Sequence, residues 1–187
     1  MEVYLIRHTA VDVEKTICYG SSDVPLKGTF PEEAAAVRSK LPPNIDEYHI
    51  VSSPLTRCQR LAEELGGMVI TDERLVEFSF GDWELRQWNE IPREELSEWF
   101  RAIDSTPVPG GDRLDEFQKR VVSFWDDLIA EGHEKVLVVS HTAAIHALLA
   151  WLLHIPLKHL FSFNIDYGGI SLVGKERGRF MIQFINR

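Results

Sequence analysis

Two short apolar runs in this chain each end at a histidine. Val3-Tyr4-Leu5-Ile6 leads into Arg7-His8-Thr9, and Val136-Leu137-Val138-Val139 leads into Ser140-His141-Thr142. A third run, Tyr48-His49-Ile50-Val51, leads into Ser52-Ser53-Pro54-Leu55-Thr56-Arg57. Imidazole has an ordinary pKa of about 6.5, so it can be unprotonated and nucleophilic near neutrality. Guanidinium offers forked donors of fixed charge. Brought together, Arg7, His8, Arg57 and His141 would make a site for a compact, highly charged anion, and phosphate fits best.

The elements needed to gather them are legible too. Short β-branched runs read as buried strands of a parallel sheet, and such sheets bind ligands beyond the carboxyl ends of their strands. Ser53 with Pro54 predicts a helix start, and Leu55, Cys58, Leu61, Ala62 and Leu65 form its apolar stripe up to Gly66-Gly67. Helix N-termini at Pro54 and Thr142 would then aim free N–H groups and positive dipole ends at the same place. Thr29 to Glu32 reads as a capping box for a helix to about Leu41, and Asp112 as the cap of a helix to about Glu131. Further strands are expected at Met68–Thr71, Leu160–Phe163, Ile170–Val173 and Phe180–Phe184. The last should run antiparallel at an edge, joined through a tight Gly174–Gly178 connection. The expected fold is α/β, a three-layer α/β/α sandwich around a mostly parallel sheet with an antiparallel edge strand. Residues 1–187 are expected to form a single domain. The aromatic, acidic stretch 78–111 is expected to roof the pocket as a lid; its tryptophans are expected mainly to pack, with part of the stretch lining the pocket.

These motifs, in this order, resemble the histidine phosphatase superfamily, the phosphoglycerate mutase-like proteins. Leu-Ile-Arg-His, Ser-Ser-Pro-Leu-x-Arg and Val-Val-Ser-His all match, as does Arg74-Leu75-Val76-Glu77-Phe78-Ser79-Phe80-Gly81-Asp82-Trp83-Glu84, similar to the segment with that family's proton donor. The resemblance spans nearly the whole chain. Thr9 stands where glycine usually follows the first histidine, and Thr142 and Ala143 stand where glycines are common after the second. Cys18-Tyr19-Gly20-Ser21-Ser22-Asp23-Val24-Pro25-Leu26, Leu160-Phe161 and Asp166-Tyr167-Gly168 are similar to the α-ribazole phosphatase branch, which acts late in cobalamin assembly.

The resemblance implies a phosphomonoesterase working through a phosphohistidine, with α-ribazole 5′-phosphate as the favoured small-molecule substrate. His8 is the expected nucleophile, with Arg7, Arg57 and a protonated His141 on the phosphoryl oxygens. Each such charge contact is worth about 4 kcal/mol at an effective dielectric near 20. Glu77 is the expected general acid, its pKa raised among Phe78, Phe80 and Trp83. Thr9, Tyr19, Gly20 and Thr142 are the expected substrate-binding residues. Arginines and histidines take the electrostatic job often given to magnesium, so no metal or cofactor is expected. Alternatives within the fold are a phosphoglycerate mutase and a sugar or nucleotide phosphatase. From another class come a non-catalytic phospho-ligand binder and a phosphohistidine regulator.

Composition sets limits. The chain has 187 residues, 44% hydrophobic and 26% charged, as in ordinary globular domains. A net charge of −9 argues against nucleic acid and makes any anion site a local positive island. Val136–Leu153 is apolar but too polar at its centre for a membrane span, and no secretion signal is evident. Cys18 and Cys58 show neither zinc nor disulfide spacing, so a reducing cytoplasm is the expected setting. The spacing of His146, His154 and His159 builds no metal face on one helix. Neither Cys18 nor Cys58 is followed six positions on by arginine, and Gly-x-x-x-x-Gly-Lys and Gly-x-Ser-x-Gly motifs are absent. Cysteine phosphatases, phosphate-loop proteins and serine hydrolases are thereby disfavoured. A monomer or homodimer is expected.

Overall fold

A computed structural model describes every residue of the chain except Phe161. Strands β1 (Glu2–Arg7), β2 (His49–Ser52), β3 (Val69–Thr71), β4 (Lys135–Ser140), β5 (Ile170–Glu176) and β6 (Arg179–Phe184) form one sheet in the order β3-β2-β4-β1-β5-β6. The pairs β1–β4, β2–β4 and β2–β3 are parallel; β1–β5 and β5–β6 are antiparallel. The edge strand β6 runs against its neighbour, as expected. The strand reversed against the parallel set is β5, one place in from the edge.

Alternation along the strands divides the core between two faces. Val3, Leu5, Val136 and Val138 point to one cluster; Ile6, Leu137 and Val139 point to the other. On the first face lie α4 (Leu114–Glu131) and α5 (Thr142–Leu152), with Phe117, Val121, Trp125 and Leu148 buried. On the second lie α1 (Phe30–Ser39) and α2 (Thr56–Leu65), with Ala34, Val37, Leu61 and Leu65 buried. Three layers result. A further helix, α3 (Arg93–Arg101), lies within the 78–111 segment and buries Trp99. No helix among the described residues is long and apolar enough to cross a membrane.

Several local expectations are corrected. Helix α2 starts at Thr56, because Leu55 is extended at φ −66° and ψ 137°. Its capping partner is Asp23, whose Oδ1 accepts from the Thr56 N–H at 3.1 Å. Thr29 makes no capping bond to backbone; its hydroxyl donates to Glu33 Oε1 at 2.6 Å, so Glu32 completes no capping box. Arg113, not Asp112, occupies the cap position of α4, and Asp112 Oδ2 instead accepts from the Ser79 N–H at 3.0 Å. No strand forms at Leu160–Phe163: Leu157–His159 is a turn of 3₁₀ helix and the described residues after it are bends and turn (Phe161 lies outside them). The β5–β6 hairpin is tighter than expected, turning on Arg177 and Gly178, both at positive φ.

Candidate active site

Strands β1, β2 and β4 are neighbours, so their carboxyl ends deliver Arg7-His8, Ser52-Ser53 and Ser140-His141 to one rim. The His8 and His141 rings meet edge to face with centroids 5.1 Å apart. His8 is buried, and its Nδ1 lies 2.7 Å from the Thr9 carbonyl oxygen. A carbonyl only accepts, so Nδ1 carries the hydrogen and Nε2 keeps its lone pair. Burial, then the charges of Arg57 and Arg7, holds the His8 pKa well below its ordinary value, against the pull of the Thr9 carbonyl.

Arg57 is fully buried and spans the site. Its Nε donates to His141 Nδ1 at 3.2 Å, and its terminal nitrogens donate to the carbonyls of Ser22 at 2.7 Å and Gly20 at 2.8 Å. Since arginine cannot accept, His141 Nδ1 is unprotonated and Nε2 bears the hydrogen, taken by Ser53 Oγ at 2.8 Å. Burial, followed by His8, Arg57 and Arg7, holds this imidazole well below its ordinary pKa. His141 is thus a neutral imidazole with its N–H held by Ser53, and the protonated form expected on a phosphoryl oxygen requires the dianion beside it to raise that pKa. Ser53, read from sequence as a helix cap, is instead the partner that orients it.

Arg7 donates to the Ile165 carbonyl at 2.6 Å, and its guanidinium stacks 3.9 Å from the Tyr167 ring centre. Tyr19 covers Arg57 from the other side at 5.4 Å, and the two tyrosine hydroxyls meet at 3.0 Å. Three buried polar atoms here have no hydrogen-bond partner among the described residues: Arg7 Nε, Thr9 Oγ1 and Thr142 Oγ1. Leaving such a group unpaired costs about 1–3 kcal/mol. Two of the three belong to the threonines that stand in for glycine.

Glu77 follows the 3₁₀ turn Glu73–Leu75 beyond β3. Its Oε1 accepts from the Phe78 N–H at 2.9 Å and its Oε2 from the Ala143 N–H at 3.2 Å. Burial raises its pKa, opposed by those two N–H groups and by Arg57 and Arg7. The helix N-termini thus behave differently from the sequence expectation: that of α2 is held by Asp23 and that of α5 by Glu77, both carboxylates of the chain itself.

Glu84 is the residue sequence reasoning missed. Its carboxylate accepts from the N–H and Oγ of both Ser21 and Ser22 and from the Phe80 N–H. Burial alone would raise its pKa, but those donors outweigh it and lower it. The loop so clamped supplies the carbonyls that hold Arg57. Gly20 sits at φ +41°, and a Cβ there would come 2.5 Å from Glu84 Oε1, so both conformation and space require glycine. Glu84 stood in the quoted motif, but nothing local in the sequence tied it to Ser21 and Ser22, more than sixty residues earlier.

Next to this cradle opens a cavity of about 390 Å³. Arg7, Tyr19, Gly20, Glu77, Thr142 and Tyr167 give it polar lining, Val13, Ile17, Phe80, Trp88, Trp99 and Leu114 apolar lining, and Glu14 and Lys15 a further pair of charges. Trp99 also packs, as does Trp83, which is 1% exposed and donates to Glu95. Thr9 is not among the lining residues; it lies fully buried behind His8. The wall segment is closed at its base, where Asp112 N donates to the Ser79 carbonyl and Asp82 N to the Pro109 carbonyl, each at 2.9 Å.

The histidine phosphatase superfamily (branch 1) profile matches residues 3–187. The chain belongs to this superfamily. A Hydrogenobacter thermophilus protein provisionally named phosphoserine phosphatase 2 is 30% identical over 194 residues, covering 99% of this chain and 95% of that one. The adenosylcobalamin/α-ribazole phosphatase of Escherichia coli K12 is 28% identical over 188 residues, covering 92% and 89%. Among solved structures, an E. coli protein provisionally assigned as an α-ribazole-5′-P phosphatase superposes with a TM-score of 0.91 at 25% identity, covering 100% of this chain and 96% of that one.

Proposed function

We propose that this superfamily member is a phosphomonoesterase that transfers the phosphoryl group of its substrate to His8 and then to water. The observation that carries the proposal is the His8 tautomer: Nδ1 is tied to the Thr9 carbonyl, leaving an unprotonated Nε2 beside His141 and two guanidiniums. A neutral nucleophile meets no charge repulsion from a phosphate dianion. Nε2 attacks phosphorus as the ester P–O bond breaks, and Glu77 gives its proton to the departing oxygen. Glu77, now a carboxylate, takes a proton from the water that attacks phosphohistidine, and inorganic phosphate leaves. Arg7, Arg57 and the His141 N–H spread the charge of a loose, in-line transfer. Thr142, which lines the cavity, contributes a hydroxyl that has no partner among the described residues.

For the leaving half, the cavity walls favour a bulky, flat, largely apolar group, and α-ribazole 5′-phosphate fits that chemistry. Phosphoserine and phosphoglycerate are too small to cover Phe80, Trp88 and Trp99, and only Lys15 and Glu14 of the lining outside the cradle would answer their carboxylate and ammonium. Residues 78–111 act in this reading as the wall that selects the substrate, within a single domain. The test compares kcat/KM for α-ribazole 5′-phosphate, phosphoserine, 3-phosphoglycerate, and sugar and nucleotide phosphates, with and without EDTA. Tenfold or greater preference for α-ribazole phosphate, unaffected by EDTA, is expected. Equal or better turnover of phosphoserine would remove the substrate assignment. Mutase activity without hydrolysis would remove the phosphatase reading. Glu77→Gln should slow alkyl phosphates far more than p-nitrophenyl phosphate, whose leaving group needs no proton; equal slowing argues against an acid role.

A further inference from the structure

At the opposite end of the sheet, three metal-ligating side chains converge that the phosphoryl chemistry does not use. His49 opens β2, Glu131 ends α4, and His133 lies two residues on, before β4 begins at Lys135. Gly132 between them takes the left-handed conformation, φ +76°, which reverses the chain and puts Glu131 and His133 on the same side. The register of β2 on β4, His49 opposite Val136, brings the third residue alongside. The His49 and His133 rings stack at 4.0 Å with an 11° tilt, and Glu131 Oε2 lies 3.2 Å from His133 Nε2. One ligand atom from each residue lies within 4.8 Å of the other two.

We propose that His49, Glu131 and His133 form a surface site for a borderline divalent transition-metal ion, with Zn²⁺ as the representative cation. Two imidazoles and one carboxylate form the donor set such ions take, with a water completing the tetrahedron. Ligands about 2.1 Å from zinc lie roughly 3.4 Å apart in that geometry, so ligand atoms already within 4.8 Å of one another need only small side-chain adjustments. Lys135, which lines the same depression as His49 and His133, is paired with Glu47. A bound ion ties the start of β2 to the α4–β4 turn. It lies a strand's length, roughly 17 Å, from the cradle at the far ends of β2 and β4, so it serves as a clip and not as a participant in the reaction.

The test is isothermal titration of tag-free protein with ZnCl₂, followed by thermal denaturation. Wild-type protein should bind one Zn²⁺ per chain and melt at a higher temperature with zinc than with EDTA. His49→Ala and His133→Ala, separately, should weaken binding tenfold or more and abolish the melting shift, with turnover of p-nitrophenyl phosphate unchanged. Glu131→Gln serves the same purpose should either alanine variant fold poorly. His8→Asn/His141→Asn should bind Zn²⁺ as tightly as wild type. No binding by wild type, undiminished binding by the His49→Ala/His133→Ala double variant, loss of binding in the His8/His141 variant, or equal affinity for Ca²⁺ would each overturn the assignment.

Discussion

The phosphate cradle and the aromatic cavity beside it are built on opposite plans. In the cradle three functional side chains are fixed by atoms whose positions the strand ends or a clamped loop dictate: the Thr9 carbonyl for His8, Ser53 Oγ for His141, the Gly20 and Ser22 carbonyls for Arg57. The cavity walls are assembled from loops, 3₁₀ turns and the starts and faces of α3 and α4, and their residues meet through ring contacts, such as Phe80 with Trp88 at 5.4 Å and Phe80 with Trp99 at 6.0 Å. Strand ends leave little latitude; packed rings tolerate exchange. Changes in the cradle should therefore act on the rate of phosphoryl transfer whatever the substrate, and changes in the cavity on which substrate is preferred.

The sharpest break is His8→Ala, expected to lower kcat by about 10⁴-fold or more on every substrate, read with p-nitrophenyl phosphate. Arg57→Lys should cost about 10²-fold, since an ammonium cannot make the three fixed contacts of the guanidinium. Next comes Glu84→Gln. Losing a charge-assisted clamp on Ser21 and Ser22 should release Gly20 and Ser22 from Arg57 and cut kcat by roughly tenfold. The loss should be the same for large and small leaving groups; a loss confined to KM for the large one would move Glu84 to the cavity side.

Trp88→Ala is the converse. It should lower kcat/KM about tenfold for a bulky aromatic leaving half, the worth of one aromatic contact, and leave small phosphate esters nearly unchanged. Equal losses on both would erase the division of labour. The smallest effect is on stability. Both His8 and His141 are held neutral well below their ordinary pKa. As pH falls below about 6.5 the unfolded chain takes up protons that the folded one refuses, so their stabilisation, complete above that value, is lost at up to about 1.4 kcal/mol per pH unit each. Glu77 has the opposite sign, but it is one group against two. Urea titrations between pH 7 and 5 should show this decline, with a shallower slope in His8→Asn/His141→Asn. Inorganic phosphate should flatten it as well, because a dianion raises both imidazoles.

What could be read in advance follows from range. The strands and their ends were legible because period-two burial and β-branched runs are local, and the end of a buried strand is where a parallel sheet exposes function. Hence Arg7, His8, Arg57 and His141 stood out together. Ser53 and Glu84 were misjudged for the same reason in reverse. Ser53 looked like a cap because Pro54 followed it, yet the backbone stays extended through Leu55 and its hydroxyl turns to a histidine eighty-eight positions away. Asp23, which caps α2 in its stead, lies in a loop thirty-three residues earlier. The strand expected at Leu160–Phe163 had the right apolar content, but the preceding 3₁₀ turn Leu157–His159 leads into a turn at Leu160 and bends at Ser162 and Phe163, with Phe161 outside the described residues.

The short contact between His8 and the Thr9 carbonyl also settles regiochemistry. With one ring nitrogen occupied by its own backbone, the phosphoryl transfer we propose would be confined to Nε2, and the adduct would keep its hydrogen on the other nitrogen. Rapid acid-free quenching and phosphorus NMR should therefore find one phosphohistidine isomer, never a mixture.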